Sequence, residues 1–282
     1  VEERHIAAEG ETTADLAEHA SRRALEMAGL DPRSLDLIIV ATATPDHVFP
    51  SVATQLQERL GNVGAAAFDV QAVCTGFVYA LGICHQFVRA GGARRALVVG
   101  AETFSRIIDW TDRNTCILFG DGAGAVVLEA GDEPGIHSSH LHADGRHREL
   151  LWVPGGVSRG MTLPDCSPFV AMKGSEVFKV AVTTLTRVVE ETLATNHLEM
   201  GDLDWLIPHQ ANTRILAATA KRLQFPLDRV VNTVSRHANT SAASVPLALD
   251  VAVRDGRIRR GQRLLLEAFG GGFTWGSVLL TY

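Results

Sequence analysis

The chain has 282 residues, a formal net charge of −6, and 46% hydrophobic against 21% charged residues. That balance gives one large or two intimately packed domains with a substantial core, and no general electrostatic pull towards nucleic acid. No apolar run reaches membrane-spanning length, no signal peptide is visible, and four cysteines without a CxxC pair point to reduced thiols in a cytosol.

Taken in chain order, the sequence opens at Val1 without an initiator Met, which raises the expectation of a missing upstream segment. TADLAEHASRRALEMAG (13–29) has amphipathic helical spacing, and LDLIIVAT (35–42) is apolar on both faces, as a buried strand demands. AAAFDVQAV (65–73) is strand-like and gives way at Cys74 to GFVYALGICHQFVRAGGA, where Phe77, Leu81, Cys84 and Val88 fall at helical spacing. RALVVGAE (95–102) and GAGAVVLEA (122–130) read as further strands. GDGAGAVVL lacks the GxGxxG spacing and fits a strand packed against another backbone. Between 136 and 165 the chain reads as a connecting region, with Pro154, Gly155, Gly156 and Pro164 as turn signals. In it, HSSHLHADGRH (137–147) puts His140 and His142 on one strand face, a solvated edge rather than a zinc site, since no nearby Cys completes a metal spacing. FKVAVTTLTRVVEETLA (178–194) is a second amphipathic helix, followed by the strands DWLIPH, QRLLLEAF and GSVLLTY.

An internal repeat organises these elements. LDPRSLDLIIV (30–40) and LEMGDLDWLIP (198–208) share a skeleton at an offset of 168 residues, and RALVVGA meets the later LLLEAF run after a small slip. The same offset lays Cys74 on Ala242, inside NTSAASVPLALD. A duplicated α/β unit follows, with a first half at 1–135, a connection at 136–165 and a second half at 166–282.

Four features carry chemistry. Cys74 stands at a strand-to-helix corner, where unpaired N–H groups and partial positive charge favour a thiolate; the alternative is a small buried residue at a tight crossing. LIPHQANTR places His209 at the C-terminal end of a buried strand, where open α/β sheets bind ligands, although a structural histidine has the same appearance. Asn239 in RHANTSAAS is either a helix cap, shared with Thr240 or Ser241, or a pocket residue from the corner that pairs with the Cys74 corner. EAFGGGFTWGS is not a phosphate loop; its glycines let backbone N–H groups approach a ligand. Cys84, Cys116 and Cys166 have no partner pattern.

Cys74 in DVQAVCTGF, His209 in PHQAN, Asn239 in HANTSAAS and the ending FGGGFTWGS together resemble the β-ketoacyl-[acyl-carrier-protein] synthase III family. The likeness continues through DWTDRNTCILFGDGAGAVVLEA, EPGIHSSHLHADG and GSEVFKVAV, and so covers essentially the whole chain. The resemblance implies a thiolase-like αβαβα layered fold and a decarboxylative Claisen condensation that starts type II fatty acid synthesis. By that likeness Cys74 would carry an acyl group from acetyl-CoA or another short acyl-CoA, and malonyl-acyl-carrier protein would then be condensed with it. His209 and Asn239 would hold the enolate oxygen, and the N–H groups of Cys74 and Gly271 the acyl-transfer oxyanion. Arg113, Asn212 and Phe178 would contact CoA, while Lys179, Arg214, Lys221 and Arg222 would dock the carrier protein. Phe49 would cross a homodimer interface to floor the partner's acyl pocket. The likeness implies a cytoplasmic enzyme with CoA thioesters as substrates, no metal or other cofactor, and no nucleic acid or membrane partner.

The third polar residue separates relatives. A thiolase would carry a second active cysteine near the C-terminus, and none follows Cys166; elongating synthases resemble Cys-His-His, where this chain has Asn239. Plant-type polyketide synthases also use Cys-His-Asn but lack the FGGGFTWGS ending. Three alternatives stay open: a synthase III-like enzyme of secondary metabolism, a cysteine hydrolase built on Cys74 and His209, and a non-catalytic carrier-protein binding module. One departure from the family pattern is the expected first strand, with its aromatic-plus-basic CoA clamp, which would precede VEERHIAAEGET.

Overall fold

The computed structural model describes residues 1–161 and 165–282; Pro164 lies outside them. The first half runs α1 (Thr13–Ala28), β1 (Leu37–Ala41), α2 (Val52–Arg59), β2 (Ala66–Val70), α3 (Gly76–Arg89), β3 (Arg95–Glu102) and β4 (Gly122–Glu129). Next come β5 (Ile136–Ala143) and the short pair β6 (Leu151–Trp152) and β7 (Ala171–Met172). The second half continues with α4 (Gly174–Thr195), β8 (Trp205–Pro208), α5 (Thr213–Leu223), α6 (Val234–His237), α7 (Ser244–Arg254), β9 (Arg263–Gly270) and β10 (Thr274–Thr281).

Local chemistry fixes the helix ends that matter. A capping box between Thr12 and Asp15 starts α1, and Gly29 closes it in the left-handed region at φ 67°. All five residues of β1 are buried, as a strand covered by helices on both faces must be.

Two four-stranded sheets result, ordered β2-β1-β3-β4 and β5-β10-β9-β8. In the first, β1 pairs parallel with β2 and β3, and β4 runs antiparallel to β3. In the second, β8 pairs parallel with β9, and β10 runs antiparallel to both β9 and β5. The central core holds Phe77, Leu81 and Ala80 of α3 and Val245, Ala248 and Leu249 of α7, packed between Ile39 and Val98 on one sheet and Leu264 and Leu266 on the other. Outer cores place α1 and α2 against the first sheet and α4 and α5 against the second. Five layers follow: helices, sheet, paired central helices, sheet, helices.

The repeat is visible in the backbone. β3 begins at Arg95 and β9 at Arg263, 168 residues later, so these strands align without the slip the sequence suggested. The two corners match more closely still. The 3-10 turn Val73–Thr75 precedes α3, the 3-10 turn Ser241–Ala243 precedes α7, and Val73 and Ser241 have φ 49° and 48°.

Residues 136–165 are not wholly a connection. β5 pairs with β10 as the edge strand of its sheet, and at that partly solvated edge His140 Nδ1 and His142 Nε2 meet the Glu191 carboxylate at 3.2 and 2.8 Å. His142 also stacks on Trp275. Among the described residues the outer edge of β4 has no paired strand. A groove of about 970 Å³ borders it, lined in part by Val126, Leu128, Leu249 and Val253, and none of Cys74, His209 and Asn239 lines it.

Candidate active site

Cys74 sits in the turn between β2 and α3, fully buried. Its position is set by close backbone packing against the glycine-rich ending. A Cβ on Gly270 would lie 2.8 Å from the Cys74 nitrogen, so only glycine lets β9 pass there. Thr75 Oγ1 donates to the Thr274 carbonyl at 3.0 Å, and Thr274 Oγ1 donates to the Ala72 carbonyl at 3.0 Å, tying the two segments together.

The helix N-terminus does not win at Cys74. Burial pushes the thiol from 9.0 up to about 12, and a nearby Glu102 charge adds to this, against the smaller help of the Ser241 hydroxyl and the N–H groups of Cys74 and Gly271. Roughly 4 kcal/mol therefore separates the resting thiol from an ordinary one, and Cys74 waits protonated. The expectation of a resting thiolate fails because desolvation exceeds the effect of one helix end. Both N–H groups named for an oxyanion site do address the sulfur.

His209 follows β8, and its N–H donates to the Glu267 carbonyl at 2.7 Å. The ring is buried, and burial drives its pKa from 6.5 down to about 3, so the imidazole is neutral. Nδ1 lies 2.6 Å from Ser244 Oγ, which also receives the Gln210 N–H at 3.3 Å. A hydroxyl that accepts the Gln210 N–H keeps its own proton to donate, and we assign that proton to Nδ1 and the ring proton to Nε2. In this assignment Ser244 presents His209 as a neutral Nε2–H donor.

Asn239 is both a cap and a pocket residue. Its Oδ1 accepts the Ser241 N–H at 2.9 Å, which leaves the Nδ2 hydrogens free. Its backbone is held by the first half: Asn239 N–H donates to the Leu118 carbonyl at 2.9 Å and Gly120 N–H to the Asn239 carbonyl at 3.0 Å. The two corner turns pack against one another, the Ser241 hydroxyl lies against the Cys74 thiol, and Ser244 begins the next helix. The structure therefore brings Cys74, His209, Asn239 and Gly271 to one corner.

The remaining candidates are more dispersed. Asn212 caps α5 by accepting the Ile215 N–H at 3.0 Å, and Phe178 is half-buried beside Phe269 and Phe273. Arg113 is exposed on the loop after β3. Lys179 on α4 and Arg214, Lys221 and Arg222 on α5 are exposed on two helices that pack together. Phe49 is 83% exposed and lies outside the Cys74 corner of its own chain. Cys84 is buried, its thiol pushed up to about 12, and among the described residues no three His, Cys, Asp or Glu side chains group as a metal site.

Sequence reasoning missed Ser244 and Glu102. Ser244 was visible as the last residue of HANTSAAS, and Glu102 as a lone acid ending the apolar run RALVVGAE.

A buried cysteine at a strand-to-helix corner, two neutral donors and a five-layer duplicated core define a condensing acyltransferase of the thiolase fold. Residues 68–145 match 3-oxoacyl-[acyl-carrier-protein (ACP)] synthase III, and residues 193–282 match its C-terminal part. The β-ketoacyl-[acyl-carrier-protein] synthase III of Thioalkalivibrio sulfidiphilus is 65% identical over 283 residues, covering 100% of this chain and 88% of that protein. The crystal structure of 3-oxoacyl-[acyl-carrier-protein] synthase III from Aquifex aeolicus VF5 superposes with a TM-score of 0.93 at 44% identity, covering 99% of this chain and 87% of that one. The priming β-ketosynthase from the R1128 polyketide biosynthetic pathway superposes with a TM-score of 0.94 at 38% identity, covering 99% and 84%. The chain belongs to the β-ketoacyl-[acyl-carrier-protein] synthase III family.

Proposed function

We propose that this protein condenses a short acyl-CoA, acetyl-CoA first among them, with malonyl-acyl-carrier protein to give a 3-ketoacyl-carrier protein, through an acyl group on Cys74. Attack by Cys74 sulfur on the thioester splits one hard condensation into two easier steps. The N–H groups of Cys74 and Gly271 hold the oxyanion of that transfer. Malonyl-carrier protein then loses CO2, and the negative charge appearing on its thioester oxygen meets His209 Nε2–H and Asn239 Nδ2–H.

One observation carries this reading: His209 Nδ1 is paired with Ser244 Oγ and Asn239 Oδ1 accepts the Ser241 N–H, which leaves His209 Nε2 and the Asn239 Nδ2 hydrogens as the groups to offer a substrate oxygen. A cysteine hydrolase needs the opposite, a histidine able to take the thiol proton, and a ring held at about 3 is a poor base. Arg113, Asn212 and Phe178 are assigned to CoA. The exposed cations Lys179, Arg214, Lys221 and Arg222 are assigned to the carrier protein, because a net negative chain needs a local basic face for an acidic partner. Phe49 is assigned to a homodimer interface, where exposed aromatic surface is commonly covered. The halves 1–135 and 166–282 act as one unit, since the corner takes residues from both. No helix among the described residues is long and apolar enough to cross a membrane, and we place the enzyme in the cytoplasm.

The test is intact mass after exposure to acetyl-CoA, then peptide mapping, then malonyl-carrier protein. A stable 42 Da adduct on the Cys74 peptide, discharged as a 3-ketoacyl product, is expected (about 42 Da is the mass an acetyl group adds in forming a thioester). An adduct on Cys84, Cys116 or Cys166, or rapid hydrolysis, overturns it. The likeness to a priming β-ketosynthase supports a second reading, condensation of unusual primers in secondary metabolism. A panel of acyl-CoAs in the same assay separates the two.

A further inference from the structure

Glu102 is a buried carboxyl that the reaction above does not use. It ends β3 on the face turned to the central helices and is fully buried. One oxygen is fully engaged: Oε2 accepts from Thr44 Oγ1 at 2.6 Å, Ala43 N at 3.1 Å and Thr42 Oγ1 at 3.4 Å. The other, Oε1, has no hydrogen-bond partner among the described residues.

Ser241 is the matching half. Its side chain is fully buried, its Oγ is also without a hydrogen-bond partner, and its backbone is held at φ 48°. A buried serine in the left-handed region is strained and persists only where its surroundings impose it. Here they do. A Cβ on Gly100, two residues before Glu102, would lie 2.3 Å from the Ala242 carbonyl oxygen, so β3 and the Ser241 turn are in backbone contact. The Ser241 hydroxyl is close enough to favour the charged forms of both Cys74 and Glu102, while closing a full hydrogen bond to neither. Two buried, unpartnered polar atoms thus lie beside the nucleophile.

We propose that Glu102 is a positioning residue that acts through Ser241 to take and hold the Cys74 proton while the acyl group occupies the sulfur. This inference rests on the acyl-Cys74 reading above. As sulfur bonds the acyl carbon, the thiol proton passes to Ser241 Oγ and the serine proton to Glu102; the bond from the acyl carbon to CoA sulfur breaks, and the CoA thiolate leaves to be protonated by solvent. In the second half, the enolate carbon bonds the acyl carbon, Cys74 leaves as thiolate, and the proton returns from Glu102 through Ser241. The cycle consumes one solvent proton, which ends on CoA, and releases CO2.

The electrostatics fit that order of events. Burial raises Glu102 from 4.5 to about 7, near the operating range of a general base. Its charge also opposes a free Cys74 thiolate, so the proton leaves as the new bond forms and not before. The groups facing Glu102 are Thr42, Ala43 and Thr44 from the end of β1, Ser241 and Ala242 from the second corner, and Cys74, which alone among these titrates.

The experiment is rapid-quench intact mass of acetyl-CoA acylation across pH 5.5–10 for the full chain, Glu102→Gln and Ser241→Ala (about pH 5.5–10 brackets the expected carboxyl titration and ends below that of the buried thiol). The wild-type rate should climb to about pH 7 and level off. Both variants should acylate at least about tenfold more slowly at pH 8 and show no plateau near pH 7, rising through the top of the range instead. The double variant should be no slower than either single one. A folded Glu102→Gln with wild-type rate and profile overturns the proposal. Should that variant not fold, an unchanged profile in Ser241→Ala overturns it equally. No adduct on wild-type Cys74 overturns the acyl-enzyme reading and this inference with it, whereas a normal wild-type adduct with unaffected variants removes this inference alone.

Discussion

Ser244→Ala probes the tautomer of His209 without touching any group assigned to the substrate. The hydroxyl lies 2.6 Å from Nδ1, and both residues are buried. Removing it leaves Nδ1 dry and without a donor, and leaves Gln210 N–H without its acceptor at 3.3 Å. An unsatisfied buried polar atom costs about 1–3 kcal/mol. The imidazole no longer gains from keeping its proton on Nε2, so this loss falls where Nε2–H is needed, at the enolate. One to three kcal/mol corresponds to roughly a 5- to 150-fold fall in malonyl decarboxylation. Acylation of Cys74 uses no Nε2–H and should stay within about twofold. Release of CO2 from carboxyl-labelled malonyl thioester measures the first rate, and intact mass the second. Ser244→Thr, which keeps the hydroxyl, should restore most of the decarboxylation. Equal falls in both half-reactions, or an unchanged CO2 rate in a folded variant, would refute this assignment of the proton.

Burial alone raises Glu267 from 4.5 to about 8, so the folded form holds a proton the unfolded chain releases; the associated stability is full below about pH 4.5 and lost as pH rises towards 8. The wild-type Tm should therefore fall on the order of 5–10 °C over that range, and Glu267→Gln should flatten the slope in calorimetry. Arg214→Glu, on the exposed face of α5, should weaken use of malonyl-carrier protein while acetyl-CoA acylation stays nearly intact; a parallel fall in both would place the effect on folding or CoA. Phe49→Thr should shift primer kinetics towards longer acyl-CoAs, once size-exclusion shows the dimer preserved, and a wild-type enzyme already preferring long chains would remove Phe49 from the pocket.

The fold was legible because its signals are local and repeated. LDLIIV and RALVVGA announce buried strands by being apolar on both faces, and a common offset of 168 residues joins the halves. The edge strand β5 was harder to read: its run IHSSHLHA alternates weakly, and its pairing with β10 lies across more than a hundred residues of sequence. Cys74 and Asn239 were legible as corner residues, and His209 as the end of a buried strand. What they are held by was not, because Ser244 reaches His209 from 35 positions away and Leu118 reaches Asn239 from the other half. The protonation of Cys74 was misread for a related reason. A helix end is visible in sequence, but the depth at which it is buried is set by contacts from the Ser241–Ala243 turn and β9.

The two corners explain why a duplicated fold needed to diverge to become this site. Val73 and Ser241 share one backbone conformation, and the residues after them, Cys74 and Ala242, occupy equivalent places. The second corner carries Ala242 at the place of the thiol, and the preceding position, Ser241, sets a hydroxyl beside the first. The same turn gives its N–H to Asn239 Oδ1 and leads directly into Ser244 and α7. In the proposed reaction one corner supplies the nucleophile, and the other supplies what positions it and both donors around it. Because His209 is neutral, the resting donors bring no full charge into a dry pocket, and in the proposed reaction the charge they would stabilise appears only as CO2 departs.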